Sequence, residues 1–491
     1  FVQVLMVVGG GRVVVIGGGI AGVTVASALS SAGHLDVILL EASDRLGGRI
    51  RSGNLRTPSW NASASIFPDE LGATWIHGRK GNPLYELATR THLIQRTDPP
   101  QKWTLPEIVS SSNQSISSAI VGDVFIAFYE WMDIASTESS LTSNAKQFSS
   151  VGEFLDAQFE LECAELHLNE TEKKLRESIF ERCKRLECSI CGCDSLEQLK
   201  LSEFFEYDQL DDQHTRLPMP FKAIVDFIAE PIPHENIFLN TLVSKIEMIS
   251  DETSSSVVVS ARSETDEESE FHADYVVSTV SLGVLKERAA SLFHPPLPQY
   301  KMNAIKAQGF GVVDKILVYF NDTLPESLPK SCIYLSSAAE SRHKWLLDYA
   351  PFVSKRDNHT VEMWISGEAA RESELQSIPQ LTETVQLYLN LAWKSYLASD
   401  SQCPKLSAIE RSMWQSNPLT RGSYSFNAVG SCGEDFEKLA EPILCPISQR
   451  PCILFAGEAT HRAFYSTTTG AHLSGEREAK RILRDLGKRE P

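Results

Sequence analysis

The residues best suited to chemistry lie at the two ends of the chain. Residues 455–479, FAGEATHRAFYSTTTGAHLSGEREA, hold one acid (Glu458), a run of hydroxyls from Ser466 to Thr469, and Gly470-Ala471 opening a helix-like stretch. A strand, a donor-rich turn and a helix N-terminus make a place for an electron-rich group, because free N–H groups and the helix dipole both favour negative charge. At the other end, residues 12–16 are an apolar run, Gly17-Gly18-Gly19-Ile20-Ala21-Gly22 is a GxGxxG turn, and residues 21–31 read as a helix. In such a turn Gly17 permits the tight bend, Gly19 lets the backbone approach a pyrophosphate, and Gly22 allows close helix–strand packing. Glu41 closes a second apolar run, 19 residues after Gly22, close to the spacing for a carboxylate on a ribose hydroxyl. Two half-sites at opposite ends point to a large dinucleotide, FAD more readily than NAD, clasped by a domain that the chain leaves and re-enters.

These groups need a scaffold, and the continuous apolar runs at 13–16 and 37–40 suit a parallel sheet covered on both faces. The glycines at 9–11 are a decoy, since a strand follows them. Residues 89–221 are mostly helical in pattern, at 121–134, 151–161 and 170–186. Residues 236–249, 257–261 and 275–280 read as one β-meander, with acidic, Ser-rich loops at 251–256 and 263–269. Residues 303–415 mix strands (315–320, 360–365) with a long helix (381–397), and the chain returns through 424–429 and 453–456. The expected fold is α/β: a Rossmann-like nucleotide domain from 1–88, 222–302 and 421–491, interleaved with an α+β substrate domain from 89–221 and 303–420.

The chain has 491 residues, enough for two or three domains, and 42% are hydrophobic. No apolar run is long enough to span a bilayer. The net charge of −18 gives solubility and a field that attracts cations and repels nucleic acid. Cys188-x-x-Cys191-x-Cys193, with Cys183 nearby, mimics a metal site, but no second Cys/His pair follows at zinc-finger spacing, so ordinary thiols and no metal are expected. Scattered cysteines fit a reducing compartment, whereas N-x-S/T triplets at Asn61, Asn113, Asn169, Asn321 and Asn358 pull the other way. A cytoplasmic protein is expected, with secretion the alternative; KREP at 488–491 is not a peroxisomal tripeptide, and residues 1–8 read as a lead-in. A monomer or weak oligomer is expected.

Six motifs carry a resemblance. Residues 41–49 (EASDRLGGR), 71–78 (LGATWIHG) with Gly81-Asn82-Pro83, 279–286 (TVSLGVLK), 309–315 (GFGVVDK), 421–424 (RGSY) and the C-terminal block resemble the flavin amine oxidase family, in order over nearly the whole chain. Within it the chain is most similar to polyamine oxidases, particularly plant back-conversion and thermospermine-type enzymes. The resemblance implies FAD, a monoamine-oxidase-type fold, and oxidation of spermine-, thermospermine- or spermidine-type secondary amines. An aminoaldehyde, a shorter amine and, with molecular oxygen as acceptor, hydrogen peroxide would result.

The residues can be weighed one by one. Arg49 follows a double glycine, where a guanidinium can grip a phosphate bidentately; a surface salt bridge is the alternative. The resemblance puts its segment against the pyrophosphate, Gly72 and Trp75 on the cofactor, Glu458 near the ribityl or pyrophosphate, and Val243 at the adenine through its backbone. Thr467, Thr468, Thr469 and Gly470 should bring N–H groups to the flavin edge that becomes negative on reduction, whereas an ordinary cap would explain only one threonine. Lys315 is odd beside Ile316-Leu317-Val318. It is either a snorkelling strand-end lysine or, by resemblance, the lysine that holds a water at flavin N5. His77 matches a position that faces the substrate amine, although a lone histidine is more often structural. Glu206-Tyr207 resembles an acid–aromatic pair at the substrate tunnel, a plain amphipathic element being the alternative. Trp414 and Tyr424 resemble rings flanking the isoalloxazine; simple core packing is the alternative for Trp414.

A magnitude constrains the chemistry. An alkyl ammonium has a pKa of about 10.4, so presenting it neutral at about pH 7.4 costs about 4 kcal/mol unless the site shifts it. An apolar aromatic cage does so by desolvation, and nearby carboxylates oppose it. Glu206 is therefore expected to anchor distal ammonium groups while His77 and the rings surround the reacting nitrogen. Three departures from the family pattern leave substrate choice and oxygen use open: Thr469 where relatives often have His, Glu476 where many have Trp, and LPMPFK at 217–222 without the usual glycines. The rivals are an L-amino-acid oxidase, a histone-lysine demethylase, a polyamine dehydrogenase with poor oxygen use, and a flavin-binding protein without turnover. The first should need an arginine for the substrate carboxylate, and the second usually carries an extra helical domain and a coiled-coil insertion.

Overall fold

The structure, a computed structural model, describes residues 11–33, 35–53, 69–94, 105–110, 116–137, 147–250, 255–335, 343–349, 351–398 and 401–487. Residues 1–8, Gly9 and Gly10, Asn61, Asn113, the loop at 251–254 and residues 488–491 lie outside them. The apolar runs at the N-terminus become parallel neighbours: Arg12–Ile16 pairs with Asp36–Leu40 on one side and Tyr275–Ser278 on the other. Six strands make this sheet, in the order Ile443–Leu444, Pro451–Phe455, Tyr275–Ser278, Arg12–Ile16, Asp36–Leu40, Ile237–Phe238. Successive residues of its central strands serve opposite faces. Val13, Val15, Val37 and Leu39 pack under helices Ile20–Ala32, Lys222–Ala229 and Thr468–Asp485. Val14, Ile16, Ile38 and Leu40 pack on the other side.

That other side is covered by a separate four-stranded sheet of Thr241–Ser250, Ser255–Ser263, Glu268–Ala273 and Phe293–His294. Here the expected meander is corrected. Tyr275–Ser278 is no part of it but a central strand of the parallel sheet, because all four of its residues are apolar or small enough to bury on both faces. The first and last helices lie side by side: a Cβ on Gly475 would come within 2.5 Å of the Ala21 carbonyl. This contact joins the two ends of the chain.

A second six-stranded sheet runs Leu406–Arg411, Val313–Phe320, Thr360–Ser366, Phe352–Lys355, Ser331–Leu335, Glu107–Ser110. Helix Ile378–Trp393 buries Leu381, Val385, Tyr388 and Leu389 with the core of this sheet. Expected at 381–397, it starts a turn earlier at a Ser377–Gln380 capping box and gives way to a short 3-10 turn at Lys394–Tyr396. Helices Ser118–Ala135, Val151–Glu165 and Glu170–Cys191 share another core. The second and third start at caps, Ser150 accepting from Glu153 N and Asn169 from Glu172 N.

Candidate active site

The glycine turn sits at the C-terminal end of Arg12–Ile16. Gly17 has φ +103°, and a Cβ on Gly22 would lie 1.9 Å from the Gly17 carbonyl oxygen, so neither position tolerates a side chain. Above Gly19 the space is open, with nothing within 4 Å of an added Cβ; the same holds at Gly457. Glu41 takes the Gly18 N–H at 2.5 Å and the Ser43 N–H at 2.7 Å. Its carbonyl accepts from Thr241 N at 2.8 Å, which brings the strand bearing Val243 to the same edge. A narrow cleft follows, lined by Arg49, Thr279, Ser281, Gly457 and Glu458 among others. Arg49 donates from Nη1 to Glu458 (2.9 Å) and to the Ser423 carbonyl (2.7 Å). Glu458, buried, also accepts from Ser425 Oγ (2.5 Å) and Ser466 N (2.9 Å). Thr467 caps the last helix, accepting from Gly470 N at 2.9 Å. Thr468 Oγ1 and Ser278 Oγ are buried without a partner.

Lys315 is buried in the second sheet. Its Nζ donates to the carbonyls of Gly72 (2.7 Å) and Glu70 (3.2 Å) and to Thr74 Oγ1, and lies 4.4 Å from the centre of the Trp364 ring. Burial pushes its pKa down to about 8; Glu362 resists and Arg216 assists. Behind it, burial would raise the Glu362 carboxyl, but Lys315, Arg356 and Arg216 hold it at about 2. Trp414 is buried next door, its backbone N–H donating to Asp314 Oδ1 at 3.3 Å. Trp75 lies in a short strand paired with Thr215–Arg216, the Arg216 guanidinium 5.9 Å from its ring centre. His77 stands edge-on to His214 with ring centres 4.9 Å apart; burial first and His214 second push its pKa down to about 4, so it is neutral near pH 7. Asn82 joins this loop to the last helix, donating to the His77 carbonyl (2.8 Å) and Thr469 Oγ1 (3.1 Å).

Tyr424 pairs with Gly311 and donates its hydroxyl to the Ser189 carbonyl. Tyr207 meets Tyr465 at 5.4 Å, and Tyr465 stacks on Phe436 at 4.8 Å. Glu206 differs from expectation: it is not a vacant carboxylate. Arg462 grips it from Nε (2.6 Å) and Nη2 (2.5 Å). Glu476 is half-buried and engaged along its own helix by His472 and Lys480.

The structure thus brings Lys315, Gly72 and, through Asp314, Trp414 together, with Trp75 in the short strand after Thr74 and His77 just beyond it. It gathers Gly17, Gly19, Gly22, Glu41 and Val243 at the sheet edge and Arg49 and Glu458 at the cleft, with Thr467 and Thr468 at the start of the last helix. Sequence reasoning gave no individual role to Trp364, Glu362, His214, Asn82, Tyr465 and Arg462. Glu362 and Trp364 do alternate within an otherwise apolar strand, TVEMWIS, a visible hint of a polar face. Arg462 carries no local signal, since its partner is far away in sequence.

A parallel sheet with a glycine turn, a cleft at its C-terminal edge and a buried lysine beyond defines a nucleotide-dependent oxidoreductase. The family model for flavin containing amine oxidoreductases matches residues 20–483, and the chain belongs to that family. It is an FAD-dependent amine oxidoreductase. It is 32% identical to the human peroxisomal N(1)-acetyl-spermine/spermidine oxidase (97% of this chain, 95% of that one). It is 30% identical to a probable polyamine oxidase 5 of Arabidopsis thaliana (96% and 98%) and 29% identical to polyamine oxidase 1 of Oryza sativa subsp. japonica (96% and 97%). The open space over Gly19 and Gly457 and the unpartnered Thr468 and Ser278 hydroxyls fit a bound dinucleotide. Among the described residues no group of His, Cys, Asp and Glu could hold a metal ion, and no helix is long and apolar enough to cross a membrane. All ten cysteines are free.

Proposed function

We propose that the chain oxidises polyamines at the carbon beside a secondary amine. The observation that carries this reading is the buried Lys315 held against the Trp364 ring by the Gly72 and Glu70 carbonyls, on the same loop that leads to the neutral His77. Burial of this kind favours the uncharged amine that oxidation requires. The names of the full-length relatives support the substrate class.

In this reading Gly17, Gly19, Gly22, Glu41 and Val243 hold the nucleotide end of FAD, with Arg49, Glu458, Gly72 and Trp75 along its middle and Thr467 and Thr468 at the ring. When bound, the flavin accepts two electrons from the substrate. His77, Trp414 and Tyr424 exclude water and orient the amine. Lys315, with a proton affinity near neutrality, can share a proton with a neighbouring water. The overall change consumes a secondary amine, water and oxygen and yields an aldehyde, a shorter amine and hydrogen peroxide. Segments 1–88, 222–302 and 421–491 form the FAD unit, and 89–221 with 303–420 the substrate unit; each six-stranded sheet drawing strands from only one set supports the division. The free thiols suit a reducing compartment such as the cytoplasm.

The test is anaerobic. Purified holoenzyme should be yellow, and spermine, thermospermine, spermidine or an acetylated form should bleach it, with air restoring the colour. Product analysis then identifies the cleaved bond. A flavin that no polyamine bleaches would overturn the proposal; one that bleaches but recovers slowly in air identifies a dehydrogenase.

A further inference from the structure

Asp314 puts an acid into an apolar core. Side chains alternate along strand Val313–Phe320, so Asp314 points away from Lys315, to the face where Ile316 and Val318 meet helix Gly367–Leu375. Asp314 is fully buried, and Glu374, from that helix, is 8% exposed. The two carboxyls lie within hydrogen-bond reach of each other. Together they hold one turn. Asp314 Oδ1 accepts from Ser412 Oγ at 2.7 Å and from Trp414 N at 3.3 Å. Glu374 accepts from Gln415 N at Oε1 (2.8 Å) and from Ser416 N at Oε2 (2.7 Å). The turn in turn holds Lys315: Lys315 N donates to Ser412 Oγ at 2.8 Å, and Ser412 N to the Lys315 carbonyl at 3.0 Å. One atom is left over, since Asp314 Oδ2 is buried and receives no donor. Arg411, the cation facing the pair, places its Nη groups on the carbonyls of Ser373, Glu374 and Gln376, and its Nε is without a partner.

We propose that Asp314 is a neutral carboxylic acid whose Oδ2 carries a proton shared with Glu374, and that the joined pair positions Lys315 and Trp414. Two carboxyls in contact cannot both be ionised, so one of them keeps a proton. The hydrogen bonds say which. Both Glu374 oxygens already accept N–H groups, whereas Asp314 Oδ2 has nothing on it. A hydrogen there gives the buried atom a partner and turns a repulsion into a bond. Burial first and Glu374 second act in the same direction, lifting the Asp314 carboxyl well above the ordinary carboxylate range. The pair lies behind the sheet and acts through main chain, so it is a positioning device. That Lys315 and Trp414 stand at the reacting centre rests on the function proposed above.

The test uses oxidised holoenzymes. Infrared difference spectra at neutral pH should show the carbonyl band of one protonated carboxylic acid in wild type and not in Asp314→Asn. Denaturant melts give a second readout. The folded wild type keeps a proton that the unfolded chain, with an ordinary Asp pKa of about 3.9, gives up, so this group's contribution to stability falls as pH rises. Asp314→Asn has no such proton and should gain on wild type from about pH 5 to about pH 8. Stopped-flow reduction by a polyamine reads the positioning. Asparagine keeps an acceptor for Ser412 and Trp414 and an N–H for Glu374, so it should retain the limiting rate. Asp314→Ala should lower that rate by about tenfold with little change in substrate affinity. If the alanine variant does not fold, Glu374→Gln replaces it: its NH2 meets one of the two N–H groups of the turn, and the same rate should fall. A missing band, an asparagine variant that does not gain with pH or is as slow as alanine, or a rate unchanged in the folded turn variant overturns the inference. A flavin that no polyamine reduces overturns the proposed function instead, and the band and the melts then judge the pair.

Discussion

Lys301 and Lys315 are held in closely similar ways at two different places. Lys301 Nζ donates to the carbonyls of Lys438 (2.7 Å), Leu439 (2.9 Å) and Glu441 (2.7 Å) and lies 4.2 Å from the centre of the Phe455 ring. Lys315 has two carbonyls, one hydroxyl and the Trp364 ring. Burial pushes the first down to about 7 and the second to about 8. Burial, a ring contact and a weakened proton affinity therefore do not separate a structural lysine from one at a reaction site. The partners do. Lys301 closes the end of helix Gly433–Ala440, where carbonyls lack intrahelical donors and the dipole is negative. Lys315 is held by a loop and by a hydroxyl that can rotate, with the charged cluster of Glu362, Arg356 and Arg216 behind it.

The contrast breaks most visibly in stability. Lys301→Met leaves three carbonyls without their donor and should cost about 3 kcal/mol in chemical denaturation. Lys315→Met should cost less, keep its flavin, and slow flavin reduction or reoxidation by about a hundredfold in stopped-flow traces. If Lys301→Met costs no more than Lys315→Met, or if the latter reacts as wild type, the two lysines are not of different kinds.

That difference was only half legible in the chain. Lys315 stands out against Ile316-Leu317-Val318 and within a motif. Lys301, in QYKMNAIKA, looks like any lysine on a surface helix, because its partners arrive from a distant helix end. The parallel sheet was readable for the opposite reason: its strands are short, continuous and apolar, and its glycines are forced by close contacts within the same unit. The strand Tyr275–Ser278 was assigned to the wrong sheet because strand composition does not name a neighbour. Glu206 was legible as an acid beside an aromatic residue, but its partner Arg462 is brought near only by the tertiary structure.

A pH series sharpens the comparison. Folding favours the neutral amine of each lysine, so the unfolded chain binds the extra proton between the folded value and about 10.4, and stability rises with pH across that window. For Lys301 the rise begins at about 7, for Lys315 at about 8. As pH rises from neutrality toward about 10, the stability gap between wild type and each methionine variant should therefore widen. Denaturant melts at neutral and alkaline pH check this; a gap that narrows with rising pH would contradict it.

The smallest effect asks whether the hydroxyl is what makes Lys315 different. Thr74 Oγ1 accepts from Lys315 and donates to the Gly72 carbonyl at 3.2 Å. Thr74→Val keeps the shape and removes the acceptor, a loss of about 1 kcal/mol. The ammonium is then less well held, so the Lys315 pKa should fall below its present value and the corresponding limb of the pH–rate profile should move to lower pH. Nothing comparable can be done at Lys301, whose hydrogen-bond acceptors are all main-chain carbonyls. In a Thr74→Val/Lys315→Met cycle the valine should have little further effect on rate once the ammonium is gone, a coupling of about 1 kcal/mol. Additive losses would mean that Thr74 acts through the loop and not through Lys315. The distinction between the lysines would then rest on the charged cluster alone.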